Sequence, residues 1–213
     1  MMQIVDNTNR DQFSNLLDAM FADRKRVFID QLGWDLPITA ARFEIDQFDD
    51  IHSVYIIAVD DAGGHLGSLR LLRTDRPHIL GSLFPQMCDG DVPRGPQARE
   101  ITRLCISPSA PRHHRRPIRN SLISAMVDHA LNTGISALTG VVTVRFLDQI
   151  LAMGWDCDQL GKRTALCGLD LGTFCARVDE HTPHKLTQTG IYARASLTTS
   201  SKAQAALAMM VSA

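Results

Sequence analysis

The segment Arg99-Glu100-Ile101-Thr102-Arg103-Leu104-Cys105-Ile106 has the apolar content of a buried strand, yet it carries an acid and two bases. A charge taken out of water is costly unless it is paired or meets a substrate, so Glu100 and Arg103 are candidates for chemistry. An internal ion pair joining two elements is the plainer alternative. Four further charges stand among apolar residues. Arg24 falls on a helical stripe, four residues after Met20 and four before Phe28. Arg70 shares a strand face with Leu66, Ser68 and Leu72. Asp46 and Asp49 alternate with large apolar residues in Phe43-Glu44-Ile45-Asp46-Gln47-Phe48-Asp49-Asp50. Six charges from four segments, all beside apolar residues, point to a common site rather than to six coincidences.

The elements that must position them follow from periodicity. Phe13, Leu16, Leu17, Met20, Phe21, Val27 and Phe28 have the three-and-four spacing of an amphipathic helix ending near Gly33. Trp34 opens an irregular stretch whose Trp, Phe and Ile residues suit a lid or wall. Val54 to Val59 and Leu66 to Leu72 read as a hairpin around Asp60-Asp61-Ala62-Gly63-Gly64. Thr74 to Arg94 reads as loop. Strict alternation in the charged strand sends Glu100 and Thr102 to one face and Arg103 to the other, so a shared site requires a bulge near Ile101 or Thr102. The basic turn Arg112, His113, His114, Arg115, Arg116 precedes a helix from Pro117 to about Asn132, closed by Gly134. A helix N-terminus beside that turn suits an anion, although a solvated charge run has the same composition. Ala137 to Val144 reads as a strand, Phe146 to Met153 as a helix, and Thr164 to Leu171 and Phe174 to Val178 as two last strands. The order implies an α/β sandwich around a mixed, largely antiparallel sheet. Residues 1–185 read as one domain, and 186–213 as a tail with a weak helix from Lys202 to Val211.

Composition narrows the function classes. Against 23 acidic residues stand 22 Lys and Arg, a net charge of -1, which argues against bulk phosphate reading of nucleic acid. The five cysteines have no C-x-x-C spacing, so neither a zinc site nor a disulfide framework is indicated, and no metal is expected. The polar start of the chain lacks signal-peptide order, and no apolar run approaches the ~18 residues of a span. A cytoplasmic protein without membrane partners is expected.

Arg24-x-x-Val27-Phe28, Leu32-Gly33-Trp34, Asp46-Gln47-Phe48-Asp49, Ser68-Leu69-Arg70-Leu71-Leu72, Phe84-Pro85 and Glu100-Ile101-Thr102-Arg103 occur in this order. Together they resemble the acyl-homoserine-lactone synthase family, the LuxI-type autoinducer synthases, from about residue 20 to 160. Thr102 stands where that pattern has Ser, preserving the hydroxyl, and Arg99 replaces an aromatic or apolar residue. The resemblance implies an N-acetyltransferase-like fold with S-adenosylmethionine as a substrate, not a cofactor. It further implies an acyl thioester donor, on acyl carrier protein or coenzyme A.

On the same resemblance Glu100 is the base that frees the substrate amine, and Thr102 and Arg103 share its catalytic segment. Arg24, Phe28, Trp34, Asp46, Asp49 and Arg70 match the S-adenosylmethionine positions. The acids can hold the ammonium or the arginines, and the arginines can pair with the substrate carboxylate or with those acids. Phe84, Thr143, Val144 and Phe146 are the candidate acyl pocket. Arg112, Arg115, Arg116 and Arg119 are the candidate docking patch for the acidic carrier protein. An acetyl-CoA-dependent N-acetyltransferase is the competing enzyme reading, disfavoured because Ile106 to Arg119 lacks the Gln/Arg-x-x-Gly-x-Gly/Ala loop. A ligand-sensing module that kept the pocket is the non-enzymatic one.

Overall fold

The computed structural model describes residues 1–166, 168–192 and 197–198. In chain order come strand β1 (Met2–Val5), a 3-10 turn (Arg10–Phe13), helix α1 (Ser14–Arg24), a π-helical segment (Lys25–Gln31), and strands β2 (Ile38–Thr39), β3 (Phe43–Glu44), β4 (Val54–Val59) and β5 (His65–Arg73). Helix α2 (Ile79–Leu83), a 3-10 turn (Pro85–Met87), strand β6 (Ala98–Ile106), a 3-10 turn (Arg112–His114), helix α3 (Arg115–Thr133), strand β7 (Ala137–Thr143) and helix α4 (Val144–Leu151) follow. Strands β8 (Cys157–Gln159), β9 (Thr164–Leu166) and β10 (Leu169–Arg177), helix α5 (Thr182–Gln188) and strand β11 (Leu197–Thr198) complete the described chain. Among the described residues no helix is long and apolar enough to cross a membrane. The predicted helix from Lys202 to Val211 lies outside them.

Two compact units emerge. The first comprises Met1–Leu69 and Arg103–Ala125 together with 197–198, and the second comprises Arg70–Thr102 and Met126–Ala193. β5 and β6 therefore contribute to both, changing unit after Leu69 and after Thr102.

In the first unit β4 lies between β1, which pairs with it antiparallel from Met2↔Ala58 to Val5↔Tyr55, and β5. β4 is buried on both faces, which explains its unbroken apolar sequence. The core is Val5, Leu17, Met20, Tyr55, Ile57 and Val59, with Phe13, Leu16 and Phe21 packed against it. β1 has no counterpart among the predicted elements. Its four residues are masked in sequence by the polar run that follows them. The helix predicted through to Gly33 changes form at Lys25, where the π segment widens the turn and keeps Arg24 and Phe28 both buried. Gly33 ends the segment with a φ of 67°, the left-handed conformation that glycine adopts without a Cβ clash.

In the second unit β7 runs parallel to β6 (Ala98↔Ala137, Glu100↔Thr139) and antiparallel to β10 (Leu171↔Thr143 to Arg177↔Ala137). β8 and β9 both pair antiparallel with β10. The sheet is mixed and mostly antiparallel, flanked by helices. β10 runs unbroken through Gly172 and Thr173, where the sequence predicts two strands with a boundary between them, and its preceding turn lies at Gly168. Gly172 keeps β10 close to α4, since a Cβ there would lie 2.5 Å from Leu147 Cδ2. Val144 opens α4 rather than ending β7, and Ile79 to Leu83 is helical where the sequence predicts loop. α3 starts two residues before Pro117, within a first turn whose N–H groups have no helical acceptor, so the proline costs no bond there.

β6 carries the expected irregularity, one residue later than predicted. Ala98, Glu100 and Thr102 are buried in alternation, but Cys105 rather than Leu104 is buried beyond them. The phase changes at Arg103, whose φ is 52°. An arginine in the left-handed region is rare and strained, and nothing in its side chain announces it in the sequence.

Candidate active site

The first unit holds a lattice of buried ion pairs. α1 delivers Arg24 at its last residue, 1 % exposed. Arg24 donates from Nε to Glu44 Oε2 at 2.5 Å, and from Nη1 and Nη2 to Asp49 Oδ1 and Oδ2 at 2.8 and 2.9 Å. Arg103 donates to Glu44 Oε1 at 3.0 Å and to Asp46 Oδ2 at 2.8 Å. Glu44 is thus fully buried between two guanidiniums. The Asp49 carboxylate also accepts the Asp46 N–H at 2.9 Å and the Tyr55 hydroxyl at 2.8 Å. Arg24 and Arg103 meet acids here, one of the two kinds of partner that the sequence leaves open. Such a lattice is stable only while it is complete, because removing one partner strands the other charge in a dry site.

Two arginines and three carboxylates interlock here. Beside the lattice, Phe28 and Trp34 stack at 5.0 Å between centroids with 18° between planes, and the Trp34 backbone N–H donates to the Phe28 carbonyl at 2.9 Å. The Arg103 guanidinium lies 5.8 Å from the Phe28 ring centre. Carboxylates and aromatic faces together favour a cation.

The second unit holds Arg70, Glu100 and Thr102, all buried. Arg70 Nε donates to Thr102 Oγ1 at 2.9 Å, and the Leu80 N–H at the start of α2 donates to Glu100 Oε1 at 2.9 Å. The backbone of α2 therefore orients the carboxylate nominated as base. Phe84, Thr143, Val144 and Phe146 are half-buried, with Thr143 and Val144 at the junction of β7 and α4.

The basic turn is exposed from Arg112 to Arg116. Arg115 donates to the Ala110 and Pro108 carbonyls at 3.4 Å, and Arg119 to Asn120 Oδ1 at 3.1 Å. Burial, then the charge of Arg116, lowers the Arg119 pKa below its ordinary value. Cys105 offers no nucleophile, since burial pushes its thiol up to about 12.

Within the first unit the structure joins Arg24, Asp46, Asp49 and Arg103, and places Phe28 and Trp34 against one another. Within the second it joins Arg70 to Thr102. Two members of the lattice are not among the residues the sequence singles out. Glu44 is signalled only by its position between Phe43 and Ile45, and Tyr55 is hidden as one more apolar residue of β4.

The fold is that of the N-acetyltransferase-like proteins. A candidate N-acetyltransferase of Lactobacillus plantarum superposes with a TM-score of 0.53 at 16% identity, over 84% of this chain and 99% of that one. The CoA-dependent acyl-homoserine lactone synthase MesI superposes with a TM-score of 0.82 at 24% identity, over 93% of this chain and 99% of that one. BjaI, another CoA-dependent acyl-homoserine lactone synthase, solved with SAM and isopentyl-CoA, gives 0.83 at 20% identity, over 93% and 92%. In sequence the chain is 32% identical over 158 residues to the acyl-homoserine-lactone synthase of Rhizobium etli, covering 73% of this chain and 74% of that one. Residues 6–180 match the autoinducer synthase family. The chain belongs to that family.

Proposed function

We propose that this chain makes an N-acyl-L-homoserine lactone from S-adenosylmethionine and an acyl thioester, releasing methylthioadenosine. One observation carries the substrate reading beyond family membership: the buried lattice of the first unit, with the carboxylates of Glu44, Asp46 and Asp49, lies beside the Phe28–Trp34 stack. S-adenosylmethionine carries a sulfonium, which an aromatic face favours, and an ammonium, which a carboxylate can hold.

The chemistry has two steps. Glu100 takes a proton from the substrate ammonium, the freed amine attacks the thioester carbonyl, and the thiol leaves as the amide bond forms. The carboxylate of the same methionyl group then attacks its own γ-carbon, closing the lactone and expelling methylthioadenosine as the C–S bond breaks. The second step needs position rather than another nucleophile, because the sulfonium is already a good leaving group. In this reading Thr102 and Arg70 hold the charged strand beside Glu100, and Arg24, Asp46, Asp49 and Arg103 shape the cation site. Phe84, Thr143, Val144 and Phe146 receive the acyl chain. The exposed Arg112, Arg115 and Arg116, with Arg119, dock an acidic acyl carrier protein, whose pantetheine phosphate suits the same charges. The isopentyl-CoA in the BjaI structure supports an acyl thioester as donor, and coenzyme A remains the alternative carrier.

Purified protein should release methylthioadenosine from S-adenosylmethionine only when an acyl thioester is supplied. Glu100→Gln should abolish that release while its circular dichroism and melting stay near wild type. A fully active Glu100→Gln would remove Glu100 as base.

A further inference from the structure

We infer that Tyr55 is a positioning residue for the S-adenosylmethionine site, its hydroxyl holding the Asp49 carboxylate that fixes Arg24. The inference rests on the reading of the first-unit lattice as that site.

Tyr55 is 1 % exposed in β4, whose other residues are Val54, Ile56, Ile57, Ala58 and Val59. Its ring belongs to the apolar core and meets Phe21 edge-on at 6.0 Å between centroids. Phenylalanine would fill that space equally well, so what tyrosine adds is the hydroxyl. That hydroxyl donates to Asp49 Oδ1 at 2.8 Å. Asp49 Oδ1 also accepts Arg24 Nη1, while Oδ2 accepts Arg24 Nη2 and the Asp46 N–H. The fork of Arg24 thus meets a carboxylate that the Asp46 N–H and the Tyr55 hydroxyl also hold, and Tyr55 ties it to β4. Ser53 Oγ lies 3.1 Å from the tyrosine oxygen but 2.7 Å from the Asp50 carbonyl. Its single proton goes to the shorter bond, and the Tyr55 hydroxyl keeps its own proton for Asp49. Losing a hydrogen bond to a buried charge lets the carboxylate shift, and the arginine with it.

The test is Tyr55→Phe beside Ile57→Val, a change in the same core with no link to the lattice. Equilibrium binding should show the dissociation constant for S-adenosylmethionine rising about tenfold in Tyr55→Phe, with the Michaelis constant following and kcat within about twofold of wild type. Ile57→Val should lower the melting temperature and leave both constants unchanged. Wild-type affinity in Tyr55→Phe, or an equal loss in Ile57→Val, overturns the inference alone. A wild-type protein that binds no S-adenosylmethionine overturns the site reading, and the inference with it.

Discussion

Glu44 takes two guanidiniums that come from separate stretches of the first unit, Arg24 from α1 and Arg103 from β6, and it is fully buried between them. Glu44→Ala would leave two buried positive charges short of a partner. It should cost about 3–5 kcal/mol of unfolding free energy, read by denaturant titration, far more than a surface acid would. A cost below about 1 kcal/mol would mean that the lattice contributes nothing to folding. Arg24 is legible in the sequence because a helical stripe has a period, and a charge upon it stands out. Glu44 is not. In Phe43 to Asp50 several acids alternate with several apolar residues, and no periodicity says which acid turns inward. Tyr55 is illegible for a different reason, since in a strand buried on both faces a hydroxyl does not show its partner.

The elements that carry these residues have their own supports. Near the end of α1, one residue before Arg24, Asp23 is tied to β5 through His65, whose Nδ1 lies 2.8 Å from Asp23 Oδ2 and whose Nε2 lies 3.1 Å from Ser68 Oγ. Burial works to raise the Asp23 pKa, but the hydrogen bonds of His65 and Ser107 and the charges of His65 and Arg26 outweigh it and hold the carboxyl below 3.8. A depressed acid stabilises the fold above its unfolded pKa and loses that contribution as pH falls through the folded value. The stability advantage of wild type over Asp23→Asn should therefore shrink as pH falls through and below 3.8. An advantage unchanged from about pH 5 down to acid unfolding would assign the effect to another group.

Strong apolar runs make β4, β5, α3 and the end of α3 at Gly134 readable. The missing pieces are those with little sequence to read. β1 and β8 are four and three residues long, and the phase change of β6 sits on an arginine. The predicted bulge follows from requiring Glu100 and Arg103 to serve one site. Its displacement by one residue shows that such a requirement locates a distortion only approximately, because the conformational strain can be carried by either neighbour.

For the whole molecule, a net charge of -1 conceals strong local separation. Buried carboxylates beside an aromatic stack suit a small cation, while the exposed arginines of the basic turn suit a large anion. Reversing charge at Arg115 and Arg116 should raise the Michaelis constant for a carrier-bound acyl donor roughly tenfold and leave that for S-adenosylmethionine unchanged. An unaltered donor constant would move the docking patch elsewhere. The family and the fold class are readable at this scale because the motifs occur in register along most of the chain. The acyl chain is not, because pocket volume depends on half-buried residues from several elements. The most direct measurement is therefore mass spectrometry of the products formed by purified protein with S-adenosylmethionine and an acyl thioester. An N-acyl-homoserine lactone and methylthioadenosine in equal amounts, with neither formed when either substrate is withheld, is the predicted result. An acylated acceptor formed without methylthioadenosine would contradict it.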